Sequence, residues 1–343
     1  MTRSIGMSEA IREGIIAEME RDPSVILIGE DIGAFGGAFH VTHGLLERFG
    51  ARRVHDTPIS EAGITGLGIG AALTGLRPIV EFQYLDFTLV AMDQIVNEAA
   101  KLRLMSGGRM TVPLVFRGPQ GATGRGAQHS QSVEGWFMHA PGLKVVAPSN
   151  PYDAKGLIAT AIRDPDPVLF IEHKTLYGTA SPGGGAAVTE SALRPIGADV
   201  PEDAYTIPFG VADVKHVGSD VTIVATMLMV HRSLAAAERL ADEHGISVEV
   251  IDPRTLVPLD VEGIAASVRK THHALVVSED VSRAGAGAEL AAVIGETCFY
   301  SLEAPVRRLC GANSPIPFGP ASERHAIPQV DDIVAAVQSV LQG

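Results

Sequence analysis

Residues 56–82 read DTPISEAGITGLGIGAALTGLRPIVEF, and this stretch decides the fold. A turn that carries Asp56 and Glu61 leads into a helical segment rich in glycine and apolar residues, which runs into a β-branched strand at residues 77–82. Upstream, SVILIGE at residues 24–30 is an apolar run ending in glycine and an acid, which is typical of a parallel strand buried on both faces. Alternation of this kind predicts an α/β domain.

Further apolar runs of strand length extend the same pattern along the chain. They lie at residues 112–118, 144–149 and 167–172. Between the strands, residues 86–108 consist of good helix formers and end in a pair of glycines, so they predict one helix with a defined stop. The repetition of strand and helix indicates a mainly parallel sheet.

The pattern breaks after Tyr177. Residues 179–206 are rich in glycine, proline, alanine and serine without a steady period, which predicts a linker. A second alternation of strands and helices fills residues 207–343 and ends in an amphipathic helix at residues 330–342. The predicted fold class is therefore α/β with two parallel-sheet domains, residues 1–178 and 207–343, joined by that linker.

Composition and charge exclude several classes of function. A formal net charge of −13 and the lack of basic stretches with interleaved aromatic residues argue against binding of nucleic acid. No apolar run reaches the ~20 residues of a membrane span, and the first residues predict an amphipathic helix, so a cytoplasmic protein without membrane association is expected. Cys298 and Cys310 cannot form a disulfide framework and are expected to be small buried residues.

Two interpretations compete for the glycine-rich helix. Gly66-x-Gly68-x-x-Ala71 resembles a dinucleotide fingerprint, which would rest a pyrophosphate on the start of the helix. The turn before the helix carries Asp56 and Glu61 instead, and no Lys or Arg follows until residue 77 to offset their charge. The sequence therefore favours an acid aimed at a ligand over a nucleotide loop.

A simpler explanation of Glu61 is local. An acid in the first turn complements the helix dipole, and Ser60 could cap the helix; such an acid contributes about 0.3–1 kcal/mol. This explains the acid but not the glycines. Four glycines weaken one helix by up to ~1 kcal/mol each, so we expect a close backbone approach at some of them.

Six motifs give the chain a resemblance to a known family. They are GEDIGAFGGAF, DTPISEAGITGLGIGAALTGLRPIVEF, AMDQIVNEAAK, GAQHSQS, PGLKVVAPSNPYDAKGL and IDPRTLVPLD. Together, and in this order over essentially the whole chain, they resemble the β subunit of the thiamine-diphosphate-dependent decarboxylating component of 2-oxo acid dehydrogenase complexes, in the pyruvate or acetoin branch. The resemblance implies a pyrimidine-binding α/β domain followed by a transketolase C-terminal-type α/β domain, in a heterotetramer of two α and two β chains.

The resemblance also assigns roles to particular residues. Glu61 matches the glutamate that hydrogen-bonds the aminopyrimidine, so that the cofactor's own amino group takes the thiazolium proton. Phe87 matches the aromatic residue that packs on the pyrimidine, although a core Phe at a helix start is the alternative. Ile59 and Gln83, in the same motifs, are assigned to cofactor binding. His129, in a glycine-rich polar loop, matches the second catalytic residue, which acts during transfer to the lipoyl disulfide.

Two metal ions are implied in different ways. The sequence has no Gly-Asp-Gly motif for the magnesium ion and diphosphate, so the α subunit is expected to hold that half of the cofactor, with the active site at the subunit interface. The resemblance also implies a structural potassium ion, whose ligands in this chain would be Leu114, Ala161, Ile162, Asp164 and Asp166. The alternative is a charged turn stiffened by proline.

The implied activity is an oxidoreductase reaction. A 2-oxo acid, with pyruvate expected first, is decarboxylated and the acyl group is passed to a lipoyl group on an acyltransferase component. Acetoin comes next, suggested by LMVHRSLAAAERL and YTIPFG, and branched-chain 2-oxo acids follow. From other classes, an NAD-binding dehydrogenase and a non-catalytic scaffold subunit stay open.

Overall fold

The computed structural model describes residues 2–177 and 198–343. Strands in this part of the chain are β1 (Thr2–Ile5), β2 (Val25–Gly29), β3 (Val54–Asp56), β4 (Arg77–Glu81), β5 (Val115–Gln120), β6 (Lys144–Val146), β7 (Val168–His173), β8 (Ala198–Pro201), β9 (Asp213–His216), β10 (Val221–Ala225), β11 (Val248–Asp252), β12 (Thr255–Val257), β13 (Ala274–Val281) and β14 (Arg307–Gly311).

The helices cover both faces of the sheets. The α-helices are α1 (Met7–Arg21), α2 (Leu45–Phe49), α3 (Glu61–Leu73), α4 (Leu102–Met105), α5 (Glu134–Met138), α6 (Pro151–Arg163), α7 (Leu228–His244), α8 (Val261–Thr271), α9 (Ala286–Cys298), α10 (Pro320–Ala326) and α11 (Val330–Leu341). Three 3-10 helices lie at Leu85–Ala91, Lys174–Tyr177 and Phe299–Ser301, and a π-helix lies at Asp93–Ala99.

The first sheet has seven strands in the order β12, β6, β7, β5, β4, β2, β3. All neighbours are parallel except β12 and β6. Strands β2, β5 and β7 are buried along their whole length, as expected of parallel strands covered on both faces. Because these strands run the same way, the carboxyl ends of β2, β3, β4, β5 and β7 meet at one edge. Ligands of open α/β sheets bind outside such an edge.

The second sheet has five strands in the order β14, β13, β10, β11, β9. Only the edge strand β9 is antiparallel to its neighbour. Helix α7 ends at Gly245, whose φ of 67° gives the left-handed stop that the glycine predicts. The prediction of an α/β fold with two mainly parallel sheets is confirmed.

Strand β12 joins the two sheets in a way that the sequence analysis did not predict. It belongs to the motif IDPRTLVPLD in the second half, yet Thr255 pairs with Val146 at the edge of the first sheet. An ion pair supports the crossing, with 3.0 Å between Arg254 Nη1 and Asp153 Oδ1. The two halves are therefore linked by backbone hydrogen bonds as well as by side chains.

The predicted linker is only partly described. Residues 179–197 of it lie outside the described residues. Within the remainder, Ala198–Pro201 forms β8, which pairs antiparallel with β1 at the start of the chain. A short strand therefore follows a stretch whose composition predicts only irregular backbone.

The prediction of a single regular helix at residues 86–108 is wrong. The segment forms the 3-10 helix, the π-helix and α4 in succession. One cause is local: Thr88 Oγ1 donates to the carbonyl oxygen of Leu85 at 2.5 Å, and such side-chain bonds compete with the regular helix ladder. Helix propensity identifies the region but not this change of winding.

One hydrophobic core runs through both halves. It includes Phe116 of the first sheet, Ile223 of the second and Leu256 of the joining strand, all buried. Cys298 is buried and Cys310 is half-buried, and both are free thiols. Across residues 2–177 and 198–343, no helix combines the length and apolar character needed to cross a membrane.

Candidate active site

Glu61 lies at the carboxyl edge of the first sheet, as the first residue of α3. Its side chain is half-buried, and in the described part of the chain the Ser60 side chain accepts no capping hydrogen bond. Glu30, which follows β2, is buried close by. Burial raises the pKa of Glu30, and the charges of Glu61 and Asp31 add to this effect. Three carboxyl groups therefore share this corner of the sheet.

The corner has unused hydrogen-bonding capacity. Glu30 Oε2 is buried and has no hydrogen-bond partner within residues 2–177 and 198–343. Gln83, which follows β4, donates from Nε2 to Asp31 Oδ2 at 3.3 Å, so the structure brings Gln83 to the same acids. Ile59, two residues before Glu61, is 78% exposed. This acidic corner therefore combines three carboxyl groups with an exposed apolar side chain.

Phe87 and His129 form a second group with Tyr84. The ring centroid of His129 lies 5.4 Å from that of Phe87 and 5.1 Å from that of Tyr84, both edge to face. Neither ring nitrogen of His129 has a hydrogen-bond partner in the described residues, so both nitrogens are available to a ligand. No hydrogen bond or ion pair among those residues joins His129 to Glu61. The two groups are linked by packing, since α3 packs against the 3-10 helix that carries Phe87.

The loop at residues 121–133 carries His129, and four charged side chains from outside the loop hold its backbone. They are Asp86, Lys174, Glu279 and Glu323. Glu279 accepts from the Ala122 amide at 2.6 Å, and Glu323 accepts from the Gly124 amide at 2.7 Å. Both acids belong to the second half of the chain, which therefore helps to position the loop.

Sequence reasoning missed these four residues. Their partners in the loop are 45 to 199 residues away along the chain, so no local spacing relates them. The sequence does contain a weak indication of two of them. Lys174 directly follows the strand-length run VLFIEH, and Glu279 ends the run ALVVSE. Charged residues at the end of a buried parallel strand point to the ligand-binding edge.

A buried ionic cluster lies beneath the same edge. Arg117, on β5, pairs with Glu81 on β4 and with both carboxylate oxygens of Glu172 on β7. Tyr177 donates to Glu172 Oε2. Burial raises the pKa of Glu81 to about 7, against the opposing charge of Arg117. The cluster fixes the ends of three adjacent strands relative to one another.

The residues predicted to bind potassium lie at the opposite edge of the sheet. Leu114 precedes β5, and Asp164 and Asp166 precede β7. The carbonyl oxygen of Leu114 accepts from the Val168 amide at 2.9 Å. Lys144 Nζ donates to Asp164 Oδ1 at 2.5 Å and to Asp166 Oδ2 at 3.1 Å. Arg103 also pairs with Asp166, so two cations face the two carboxylates of this turn.

The remaining two predicted potassium ligands, Ala161 and Ile162, lie on α6 and would contribute backbone oxygens. The carbonyl oxygen of Ile162 accepts from Arg77 Nη1 at 2.8 Å, and that of Ala161 accepts from the Asp164 amide at 3.3 Å. Each predicted ligand oxygen therefore has a protein donor. The potassium site stays a prediction beside the ion-paired turn that was its alternative.

Two family models match the chain in the same order as the two sheets. The model described as transketolase, pyrimidine binding domain, matches residues 3–179, and the model described as transketolase, C-terminal domain, matches residues 210–333. A solved structure titled split gene transketolase, inactive beta4 tetramer, is similar in fold. It has a TM-score of 0.76 and 20% identity, and the likeness covers 99% of both chains. These matches define a chain of the transketolase type.

Relatives of known name identify the family within this transketolase-type class. The chain is 47% identical to the pyruvate dehydrogenase E1 component subunit beta-1, mitochondrial, of Arabidopsis thaliana, over 97% of this chain and 88% of that one. It is 45% identical to the 2-oxoisovalerate dehydrogenase subunit beta of Bacillus subtilis (strain 168), over 97% and 98%. It is 43% identical to the acetoin:2,6-dichlorophenolindophenol oxidoreductase subunit beta of the same organism, over 99% and 98%. The chain belongs to the family of β subunits of the decarboxylating (E1) component of 2-oxo acid dehydrogenase complexes. This confirms the resemblance and excludes the NAD-binding dehydrogenase.

Proposed function

We propose that the chain, together with an α subunit, catalyses thiamine-diphosphate-dependent oxidative decarboxylation of pyruvate and passes the acyl group to a lipoyl group. The observation that carries the proposal is the position of Glu61. It is a half-buried acid at the head of α3, beside buried Glu30 and at the ligand-binding edge of the sheet. The relatives are named for pyruvate, 2-oxoisovalerate and acetoin. The identities of 47%, 45% and 43% are too similar to choose among these three substrates.

The residues of the acidic corner suit the pyrimidine end of the cofactor. A half-buried acid suits a hydrogen bond to a ring nitrogen, and the apolar side chains of Phe87 and Ile59 suit a flat ring. The unpartnered Oε2 of Glu30 leaves a further polar atom for the ligand. Thiamine diphosphate, when bound, supplies a thiazolium carbon that adds to the substrate carbonyl.

The residues of this chain have separate tasks in the proposal. Glu61 would hydrogen-bond the pyrimidine nitrogen, Phe87 would hold one face of the ring, and Gln83 would line the acidic corner next to Asp31. His129 would hold or deliver a proton at the substrate oxygen through a free ring nitrogen. Burial of neighbouring Glu30 raises the pKa of its carboxyl group, and the charges of Glu61 and Asp31 add to this effect.

The α subunit is proposed to cover the acidic corner. Exposed apolar side chains lie just before α3, on α3 and on the 3-10 helix that carries Phe87, with exposed fractions of 78% for Ile59, 56% for Leu67 and 62% for Val90. Apolar side chains grouped near a site are typical of a protein interface. The α subunit would also bring the groups that hold magnesium and diphosphate. An assembly of two α and two β chains, and a lipoylated acyltransferase as the next partner, belong to the same proposal.

Three further predictions accompany this function. They are the potassium ion near Asp164, a cytoplasmic location, and domain boundaries at residues 1–178 and 207–343 with a linker at 179–206. The plant relative is named as mitochondrial, so location needs a fractionation of the source cells.

The test is calorimetric titration of thiamine diphosphate with magnesium, first into this chain alone and then into the chain co-expressed with its α subunit. Binding is expected only in the pair and is expected to be lost in Glu61→Ala and weakened in Glu61→Gln. Glu262→Gln is the control, because the Glu262 side chain is 80% exposed. Full activity of an assembled Glu61→Ala complex would favour the scaffold subunit, and turnover of acetoin but not pyruvate would favour the second candidate substrate.

A further inference from the structure

A recess beside His129 has a cation in its wall. The cavity has a volume of about 390 Å³ and is lined by Tyr84, Thr123, Gly124, Arg125, His129 and Phe318. Phe318 comes from the second half of the chain and lies next to Gly126 of the loop at residues 121–133, so it forms one wall of the recess. The recess is thus small, partly apolar and adjacent to a residue proposed to contact the substrate.

Arg125 is the charged group of this recess, and it is unpaired. Its guanidinium carbon lies 5.9 Å from the ring centroid of Tyr84 and 6.0 Å from that of Phe39. Within residues 2–177 and 198–343, the guanidinium makes no hydrogen bond or ion pair. Aromatic faces attract a cation and fix its position, but they leave its five N–H donors free.

The acids near Arg125 make their hydrogen bonds to other groups. Asp86 Oδ1 accepts from the Gln131 amide at 3.0 Å, while Asp86 Oδ2 is buried without a hydrogen-bond partner in the described residues. Glu279 binds His173 Nε2 at 2.8 Å, and Glu323 accepts from the loop amide of Gly124. None of them forms an ion pair with the guanidinium. The positive charge is therefore available to a small ligand that enters the recess.

A second cation lies against the same tyrosine. Lys174 Nζ is 4.9 Å from the ring centroid of Tyr84. Burial lowers the pKa of Lys174 to about 8, and the charge of Arg125 adds to the lowering although Asp86 and Glu279 oppose it. Two cations on one ring repel each other, and an anion between them and His129 would relieve that repulsion.

We propose that Arg125 binds the carboxylate of a 2-oxo acid beside His129, and that the assembly therefore selects 2-oxo acids over the neutral hydroxyketone acetoin. This inference rests on the proposed function. A guanidinium matches a carboxylate with two parallel N–H···O bonds, and a hydroxyketone has no group that can use both. The carboxylate is present in the bound substrate and leaves as carbon dioxide, so Arg125 contributes mainly to substrate capture.

The first measurement is equilibrium binding of oxamate, an unreactive isostere of pyruvate, to the assembly of α and β chains. Arg125→Gln is expected to weaken oxamate binding roughly tenfold or more, as for loss of a charged hydrogen-bonded pair, and Arg125→Lys to weaken it less. Arg307→Gln is the matched control, since Arg307 is exposed on β14. Affinity for thiamine diphosphate is expected to stay within about twofold in all three variants, because Arg125 lies outside the proposed cofactor contacts.

The second measurement is steady-state kinetics with dichlorophenolindophenol as the electron acceptor, which needs no lipoyl carrier. In Arg125→Gln the KM for pyruvate is expected to rise roughly tenfold while kcat changes little. Equal oxamate affinity in the wild type and Arg125→Gln would overturn the proposal. So would unchanged pyruvate kinetics combined with a raised KM for the lipoyl carrier, since Arg125 would then serve acidic groups of that protein.

The two proposals fail in different ways. If the wild-type assembly binds no thiamine diphosphate, the proposed function fails, whereas oxamate binding still reports on Arg125. If the assembly binds the cofactor and turns over acetoin better than pyruvate, the cofactor site stands and the carboxylate assignment is wrong.

Discussion

Lys174 donates a hydrogen bond from Nζ to the backbone carbonyl oxygen of His129. The lysine directly follows β7 and is buried, while His129 lies on the loop at residues 121–133. A rigid strand end thus holds the backbone of the residue whose ring faces the candidate active site. The amine contacts the carbonyl oxygen of His129 and the ring of Tyr84, so it positions His129 directly, while its charge also acts on an anion in the recess beside His129.

Replacement of Lys174 is expected to lower activity without loss of the fold. Lys174→Met removes the bond to His129 and the charge while it keeps most of the apolar stem, so we expect kcat to fall roughly tenfold through misplacement of the ring. Affinity for thiamine diphosphate should change little. Kinetics and calorimetry on the α–β assembly measure both quantities. Lys101→Met, which removes only an exposed bond to Asn97, is the control, and equal kcat in the two variants would contradict the positioning role.

The ionic cluster of Arg117 is expected to control stability. Arg117 is 1% exposed and is the common partner of Glu81 and Glu172, so Arg117→Met leaves two buried acids without a cation. Removal of one partner of a buried pair costs about 3–5 kcal/mol in the free energy of unfolding. Urea unfolding measures this loss.

The matched surface pair supplies the control for Arg117. Arg269 and Glu262 pair in solvent at 3.3 Å, so Arg269→Met should cost less than about 1 kcal/mol. A similar small cost for Arg117→Met would mean that the buried acids are protonated in the folded chain and do not need the arginine.

Glu134 is expected to make stability fall as pH rises. Its carboxylate is buried with no hydrogen-bond partner in the described residues, and burial, followed by the charge of Asp280, raises its pKa from 4.5 to about 8. Between these two values the folded chain binds more protons than the unfolded chain. The free energy of unfolding therefore decreases as pH rises through this window. The protonated Glu134 carboxyl makes its full contribution to stability only below the pKa that the group has in the unfolded chain.

Glu134→Gln should remove that dependence. The amide is neutral at every pH, so the variant should match the parent at about pH 5 and exceed it at about pH 8 by an amount on the order of 1–3 kcal/mol. Urea unfolding at several pH values measures the difference, with exposed Glu262→Gln as the control. Parallel pH curves for parent and variant would rule out Glu134 as the titrating group.

The sequence predicts those features of the fold and of the candidate site that depend on the local pattern of residues. The continuous apolar runs predict β2, β4 and β7, and the acid that follows β3 points to Glu61 as a candidate site residue. Both predictions depend only on the types of neighbouring residues in the sequence. The contacts of Lys174, Glu279 and Glu323 with the loop at residues 121–133 depend on which strands and helices become neighbours. Local pattern does not contain that information, and it does not contain the antiparallel pairing of β12 either.

The glycines of α3 are another feature whose role the local sequence pattern does not reveal. Some of them lie against a neighbouring strand, and others are open to solvent. A Cβ on Gly68 would lie 2.6 Å from Val80 Cγ2, so this glycine allows the helix to approach β4 closely. Gly66 and Gly70 are exposed, and a Cβ at either position would have no neighbouring atom within 4 Å. Gly63, Gly66, Gly68 and Gly70 look alike in the sequence, yet only some of them serve packing inside this chain.

This division predicts opposite effects of alanine. Gly68→Ala should destabilise the isolated chain by about 1–3 kcal/mol through overpacking against Val80. Gly66→Ala and Gly70→Ala should each stabilise it by about 0.5–1 kcal/mol, because alanine is the better helix former at an open position. If the α subunit packs on this face, the same two variants should assemble less tightly with it, since the added methyl groups hold the two surfaces apart. Urea unfolding of the chain and the dissociation constant of the α–β pair measure the two effects. Stabilised variants that assemble as tightly as the parent would show that the α subunit does not pack on this face of α3.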